Sequence, residues 1–283
     1  MITEGDWEKT LTLLITSRDN SLLRRARAVR DGKIRESIFV EGLRLCEEVL
    51  LSGLEIEAVI YSEELARKER AARLIEALSR VCDRLASVSE QLLGSISYTK
   101  TPQGIVLLAA RPKLDEETFK SSQAAAPLLV VMHGINNPVN VGAILRSAEA
   151  AGVTGAIATE NTCDPFSPKA LRGAMGSAFR LPIWTEVSYA GVLAWCSERG
   201  IDTVCADAEG ATLYTDVDWT VPNALIVGPE STGLSAEEVA VAGAAIKIPM
   251  KGKVESLNVA VATAVVLYEA ARQRERGGRV VGG

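Results

Sequence analysis

Three short runs hold the residues that could do chemistry. HGINNPVNVGAILRSAEAAG, from His133 to Gly152, sets Asn136, Asn137, Pro138 and Asn140 before an apolar helix with one arginine, Arg146. VGPESTGLS, from Val227, carries Gly228, Glu230 and Gly233 ahead of Ser235 and Glu238. PMKGKVESLN, from Pro249, carries Lys251 and Lys253 and then Ser256, Leu257 and Asn258. Ser256 can cap the helix that follows, and Asn258 offers an amide. A guanidinium is protonated at any ordinary pH, so Arg146 is no simple general base. What it can do is stabilise developing negative charge.

Each run also has a plain reading. Asparagine clusters are usually turns. On the helix after Asn140, Val141, Ile144, Leu145 and Ala148 fall at core spacing, and Arg146 lies off that stripe with Ala143 and Ala150. Taken alone, it is a surface arginine paired to Glu149. The second run reads as a glycine turn before a helix with a Ser235–Glu238 capping box. It is no phosphate loop, because Leu234 stands where lysine is needed, and no G-x-G-x-x-G opens a helix after a strand. The single histidine, His133, leaves little room for zinc or Ser-His-Asp chemistry, and no metal is expected.

All three runs follow apolar strands, and the segments around them show why. From Leu128 onward, strands LLVVMHGI, GAIAT, LPIWTEV, DTVCAD, NALIVG and IKIPM alternate with helical runs, which implies a parallel sheet covered on both faces. In such a sheet ligands sit beyond the carboxyl ends of the strands. The last helix, NVAVATAVVLYEAA, is apolar almost all round and must be buried on more than one side, by its own sheet and by a second subunit. In front lies a smaller α/β region, residues 1–110: a helix from Ser21, a turn at Asp31-Gly32, the strand SIFVEG, a helix ending at Gly53, the strand EIEAVIYS, one amphipathic helix ELARKERAARLIEALSRV, then LASVS, QLLGSISY and the near-continuous apolar strand GIVLLAAR. Residues 111–127 have the composition of a linker, the second domain is 128–275, and RERGGRVVGG, with 276–283 as a tail, is expected to fray.

Five scattered cysteines with no C-x-x-C pair suit reduced thiols in the cytoplasm. No secretory signal and no bilayer span is expected, since the longest apolar run is broken by Asn258, Thr263 and Glu269. The net charge of −5 argues against a nucleic-acid partner, yet Arg18, Arg24, Arg25, Arg27, Arg30, Lys33 and Arg35 face only Asp19 and Asp31 in one segment. That segment is either a solvated helix face or a patch for phosphate backbones.

Together, in this order and spacing, the three runs resemble the three motifs of the SpoU/TrmH class of SPOUT methyltransferases: N-x-x-x-x-x-R from Asn140 to Arg146, G-x-E-x-x-G-L from Gly228 to Leu234, and I-P-M followed by S-L-N from Ile248 to Asn258. FVEGLRLCEE, in front, resembles the substrate-binding domain of rRNA-modifying members. The resemblance implies methyl transfer from S-adenosylmethionine to a ribose 2′-hydroxyl of RNA, 23S rRNA first, with tRNA as the alternative substrate and a catalytically silent RNA-binding member of the fold as the alternative role. It implies a parallel sheet with a trefoil knot, and a homodimer whose sites draw on both subunits. Carried over by motif position, Gly228, Ile248 and Leu257 contact the cofactor. Arg146 is the catalytic side chain, with Asn140, Glu230, Ser256 and Asn258 around it. RNA contacts are expected from Arg24, Arg25 and Arg27 in front and from Lys251, Lys253 and Arg172 around the knot. The chain departs from the family pattern at Pro229, Ser231 and Ala174.

Overall fold

Asn20 starts the first helix by accepting a hydrogen bond from the Leu22 N–H (2.8 Å), and Leu22, Leu23, Ala26 and Val29 then fall on one buried stripe. Local devices of this kind punctuate the whole chain. The computed structural model describes residues 12–121 and 126–279. The chain divides between Pro112 and Lys113 into two compact units.

The first unit runs β1 (Leu13–Ile15), α1 (Ser21–Arg30), β2 (Ser37–Glu41), α2 (Leu43–Ser52), β3 (Ile56–Ser62), α3 (Glu63–Ala66), α4 (Glu69–Ser79), β4 (Leu85–Val88), α5 (Glu90–Ile96) and β5 (Ile105–Ala110). Its sheet has the order β1-β4-β3-β5-β2, with β1, β4 and β3 parallel and β5 antiparallel to both neighbours. Two features depart from the sequence reading. Strand β1 is too short to show alternation. The single helix expected over ELARKERAARLIEALSRV is two helices, because Lys68 is extended. Leu65 packs on Gly104, while α4 buries Ala71, Leu74 and Leu78. On one continuous helix Leu65 and Ala71 would point about 120° apart, so both can face the core only if the chain turns between them.

The second unit runs α6 (Glu116–Ser121), β6 (Leu128–Met132), α7 (Pro138–Ala150), β7 (Gly155–Thr159), α8 (Pro168–Ala174), α9 (Ser177–Arg180), β8 (Ile183–Val187), α10 (Tyr189–Glu198), β9 (Asp202–Ala206), β10 (Thr212–Leu213), β11 (Asn223–Val227), α11 (Ala236–Val241), β12 (Ala244–Lys247) and α12 (Val259–Arg279). Its seven strands are all parallel, in the order β10-β12-β9-β11-β6-β7-β8. Leu128 to Met132 and Asn223 to Val227 are buried throughout, as the apolar runs require.

Three readings change here. The stretch expected as a linker carries α6, whose Phe119 is fully buried between Trp184 and Trp195 (ring centroids 5.9 and 5.6 Å). One apolar residue among polar ones leaves no periodic signal. The helix expected through SPKALRGAMGSAF breaks at Met175 and Gly176, both with positive φ (51° and 98°). The run expected to fray is helical to Arg279, and Arg274 donates to the carbonyls of Trp219 (2.7 Å), Ala126 (2.8 Å), Val221 (2.9 Å) and Pro127 (3.3 Å). Among the described residues no helix is long and apolar enough to cross a membrane.

Candidate active site

Strands β6 and β11 are neighbours, with Met132 opposite Val227, so the loops after them leave the sheet side by side. In the first loop the Asn137 side chain accepts from the Val139 N–H (3.0 Å) and Pro138 occupies the first turn of α7. Asn140 follows, only 6% exposed. A side chain on Gly142 would collide with the Ala170 carbonyl and with Gly173, so α7 and α8 touch backbone to backbone. That close approach fixes the turn of α7 that carries Asn140.

The three runs meet through one amide. Asn258 Nδ2 donates to Glu230 Oε1 (2.5 Å) and to Asn140 Oδ1 (3.3 Å). Its Oδ1 accepts from the N–H groups of Ala260 (3.0 Å) and Val261 (3.3 Å), which caps α12. Asn140 Nδ2 is buried and has no partner among the described residues. A buried donor left open in this way is costly unless a ligand or water satisfies it.

Arg146 lies further along α7, exposed and without a hydrogen bond or ion pair among the described residues. It is not paired to Glu149, as the plain reading had it. Glu149 is held by Arg180, through Nε and through Nη2 at 2.9 Å. Those bonds, then one from Ser177, keep the Glu149 carboxyl below the usual carboxylate range against the opposing effect of burial.

In the second loop Gly228 is buried, and a Cβ there would come within 2.8 Å of the Leu234 side chain. Gly233 turns the loop with φ 65°, its N–H bonded to the Pro229 carbonyl (2.9 Å). Ser235 and Glu238 form the expected capping box at the start of α11. Glu238 also accepts from His133 Nε2 (2.9 Å), while His133 Nδ1 lies 2.9 Å from Thr159 Oγ1 and the ring packs on Tyr189. The sole histidine thus links the first turn of α11 to the end of β7. The third loop, residues 248–258, has no regular structure, and Ile248 is half-buried. Lys251, Lys253, Ser256 and Leu257 are exposed there, and Arg172 is exposed on α8.

Residues 127–268 match the SpoU rRNA methylase family. The chain belongs to that family. Residues 20–107 match the MRM3-like substrate binding domain. The 23S rRNA (guanosine-2'-O-)-methyltransferase RlmB of Bordetella pertussis is 32% identical over 219 residues, 76% of this chain and 89% of the relative. A 23S rRNA (uridine(2479)-2'-O)-methyltransferase of Streptomyces viridochromogenes is 29% identical over 88% of this chain and 87% of its own. The crystal structure of an AdoMet-bound rRNA methyltransferase from Sinorhizobium meliloti aligns with a TM-score of 0.81 at 28% identity, covering 92% of this chain and 98% of the other.

Within the substrate-binding unit of this SpoU-family chain the expected arginine patch separates into different roles. Arg24 is exposed with no partner among the described residues. Arg25 is committed to Glu57 (2.7 Å) and to Ser37 (2.8 Å), and Arg27 donates to the Arg18 carbonyl (2.9 Å). Sequence reasoning also passed over Glu41. It is buried and accepts from Thr99 Oγ1 (2.7 Å), Tyr98 N–H (2.9 Å) and Thr99 N–H (3.2 Å), and so shapes the turn before β5.

Proposed function

We propose that this chain is an S-adenosylmethionine-dependent methyltransferase acting on a ribose 2′-hydroxyl of RNA, with 23S rRNA as its substrate. The observation that carries the reading is the junction of Asn140, Glu230 and Asn258 on three loops at one end of a parallel sheet, with an unpaired guanidinium further along α7. The family and the named activities of its rRNA-modifying members support the same chemistry.

The residues present fit the cofactor. The loop 248–258 leaves its backbone outside any helix or strand, Gly228 adds side-chain-free backbone beside it, and Met250 and Leu257 offer exposed apolar surface. Asn140 Nδ2 is a buried donor without an acceptor among the described residues. Gly228, Ile248 and Leu257 would hold S-adenosylmethionine, largely by backbone groups, within the trefoil knot that belongs to this reading. When bound, the cofactor supplies an electrophilic methyl group on a sulfonium.

The protein's own part is positioning and charge. Asn258, through Asn140 and Glu230, holds the three loops in register, and Ser256 lies beside it on the third. Arg146 stabilises the developing 2′-alkoxide while bridging the adjacent phosphate, and the proton leaves through that phosphate or through water. Lys251, Lys253 and Arg172 contact the RNA backbone near the site, and Arg24 does so from the substrate-binding unit. Arg25 and Arg27 support that surface from within the fold. The outward stripe of α12, Val261, Val265 and Tyr268, seats a second copy of the chain in a two-fold homodimer.

Replacing Arg146 with alanine tests the reading. Methyl transfer to rRNA should fall by about two to three orders of magnitude, as when a charge-stabilising donor is removed. Calorimetric affinity for S-adenosylmethionine should stay near that of the unaltered protein, since Arg146 is not among the cofactor contacts. Turnover close to normal in this variant would contradict the assignment.

A further inference from the structure

Arg146 and Glu149 stand three residues apart on α7, the spacing at which opposite charges on a helix meet. They do not pair, because the Glu149 carboxylate is occupied from another helix. After α8 the chain turns sharply at Met175 and Gly176, both in the left-handed region, and re-enters as the four-residue α9. Ser177 and Arg180 are three residues apart on α9 and so share a face. Ser177 is 2% exposed, and the Arg180 guanidinium bonds Glu149 through Nε and Nη2. The break that the sequence did not reveal is therefore what brings a guanidinium onto this carboxylate.

We infer that Arg180 is a positioning residue for methyl transfer: by holding the Glu149 carboxylate, it leaves Arg146 free to engage RNA. The inference rests on the reading of Arg146 as the catalytic side chain. Two consequences follow from removing Arg180. Glu149 gains a vacant carboxylate one turn from Arg146 and draws the guanidinium onto itself. It also adds an uncompensated negative charge where a phosphate must approach. Both penalties come from Glu149, so both vanish if that carboxylate is removed as well.

The experiment compares the unaltered enzyme with Arg180→Met, Glu149→Gln, the double variant and Arg146→Ala. The measured quantities are kcat/KM for rRNA, S-adenosylmethionine affinity by calorimetry, and the thermal midpoint. Arg180→Met should lower kcat/KM by about threefold to tenfold, the range expected when a weak helical ion pair and a repulsive charge act together. Cofactor affinity should not move. Glu149→Gln alone should stay close to the unaltered enzyme, and the double variant should recover most of the loss. If Arg180→Met does not fold, Arg180→Gln replaces it, with the same order expected. A double variant as slow as Arg180→Met, or an Arg180 variant with unchanged kcat/KM, overturns the inference. Normal turnover in Arg146→Ala would instead overturn the reading beneath it.

Discussion

Asn258 does two jobs with one side chain: its oxygen caps α12 and its nitrogen ties Asn140 to Glu230. An aspartate would keep the capping oxygens and lose the donor, and it would face the Glu230 carboxylate with like charge. Asn258→Asp should therefore leave the thermal midpoint nearly intact, because the cap, typically worth about 1 kcal/mol, survives. Turnover should nevertheless fall by on the order of tenfold to a hundredfold, the scale of a small misplacement of a catalytic group. Equal losses of stability and activity would make Asn258 only a cap. The meeting of Asn140, Glu230 and Asn258 was legible because three motifs with fixed spacing carried them. Arg180–Glu149, His133–Glu238 and Glu41 with the turn before β5 were not. Their partners lie 31, 105 and 57 residues apart, and a single side-chain pairing across such distances leaves no periodic trace.

The strands of the second unit were legible at the scale of elements, because buried parallel strands are short apolar runs between helical stretches. The breaks between α3 and α4 and between α8 and α9 were not. Both lie inside sequences with good helix formers, and tertiary packing decides where the chain turns. Helix α12 shows how periodicity and packing join. Thr263, Val266, Leu267 and Ala270 are buried, while Val261 and Tyr268 are 50% and 55% exposed on the opposite side. This apolar stripe, left in water on a long helix, is the surface that the proposed homodimer would bury. Light scattering at micromolar concentration should give a dimer mass, and Val261→Glu should give a monomer with little methyl transfer. A stable, active monomer would refute this use of the helix.

For the whole molecule, the net charge of −5 is a poor guide to its partner, because exposed cations gather locally. Arg24 and Arg25 are adjacent in sequence, yet one is open to solvent and the other joined to Glu57 and Ser37. Arg24→Gln should reduce the slope of log RNA affinity against log salt by about one unit, one lost phosphate contact, with no change in stability. Arg25→Gln should lower the thermal midpoint instead, since it leaves the partly buried Glu57 without its cation. A salt slope unmoved by Arg24→Gln would remove that arginine from the RNA surface. The division into a front unit and a parallel-sheet unit was legible from composition, but the helix over 116–121 was hidden by polar residues around Phe119.

The most direct measurement of the central claim is methyl transfer itself. Purified protein would be incubated with S-adenosylmethionine carrying a labelled methyl group and with ribosomal RNA from cells lacking this gene, and the products mapped by mass spectrometry. Label should appear on a ribose 2′-oxygen in 23S rRNA and be absent with Arg146→Ala. Label on a base, or none on any RNA ribose with cofactor bound and the protein folded, would contradict the claim.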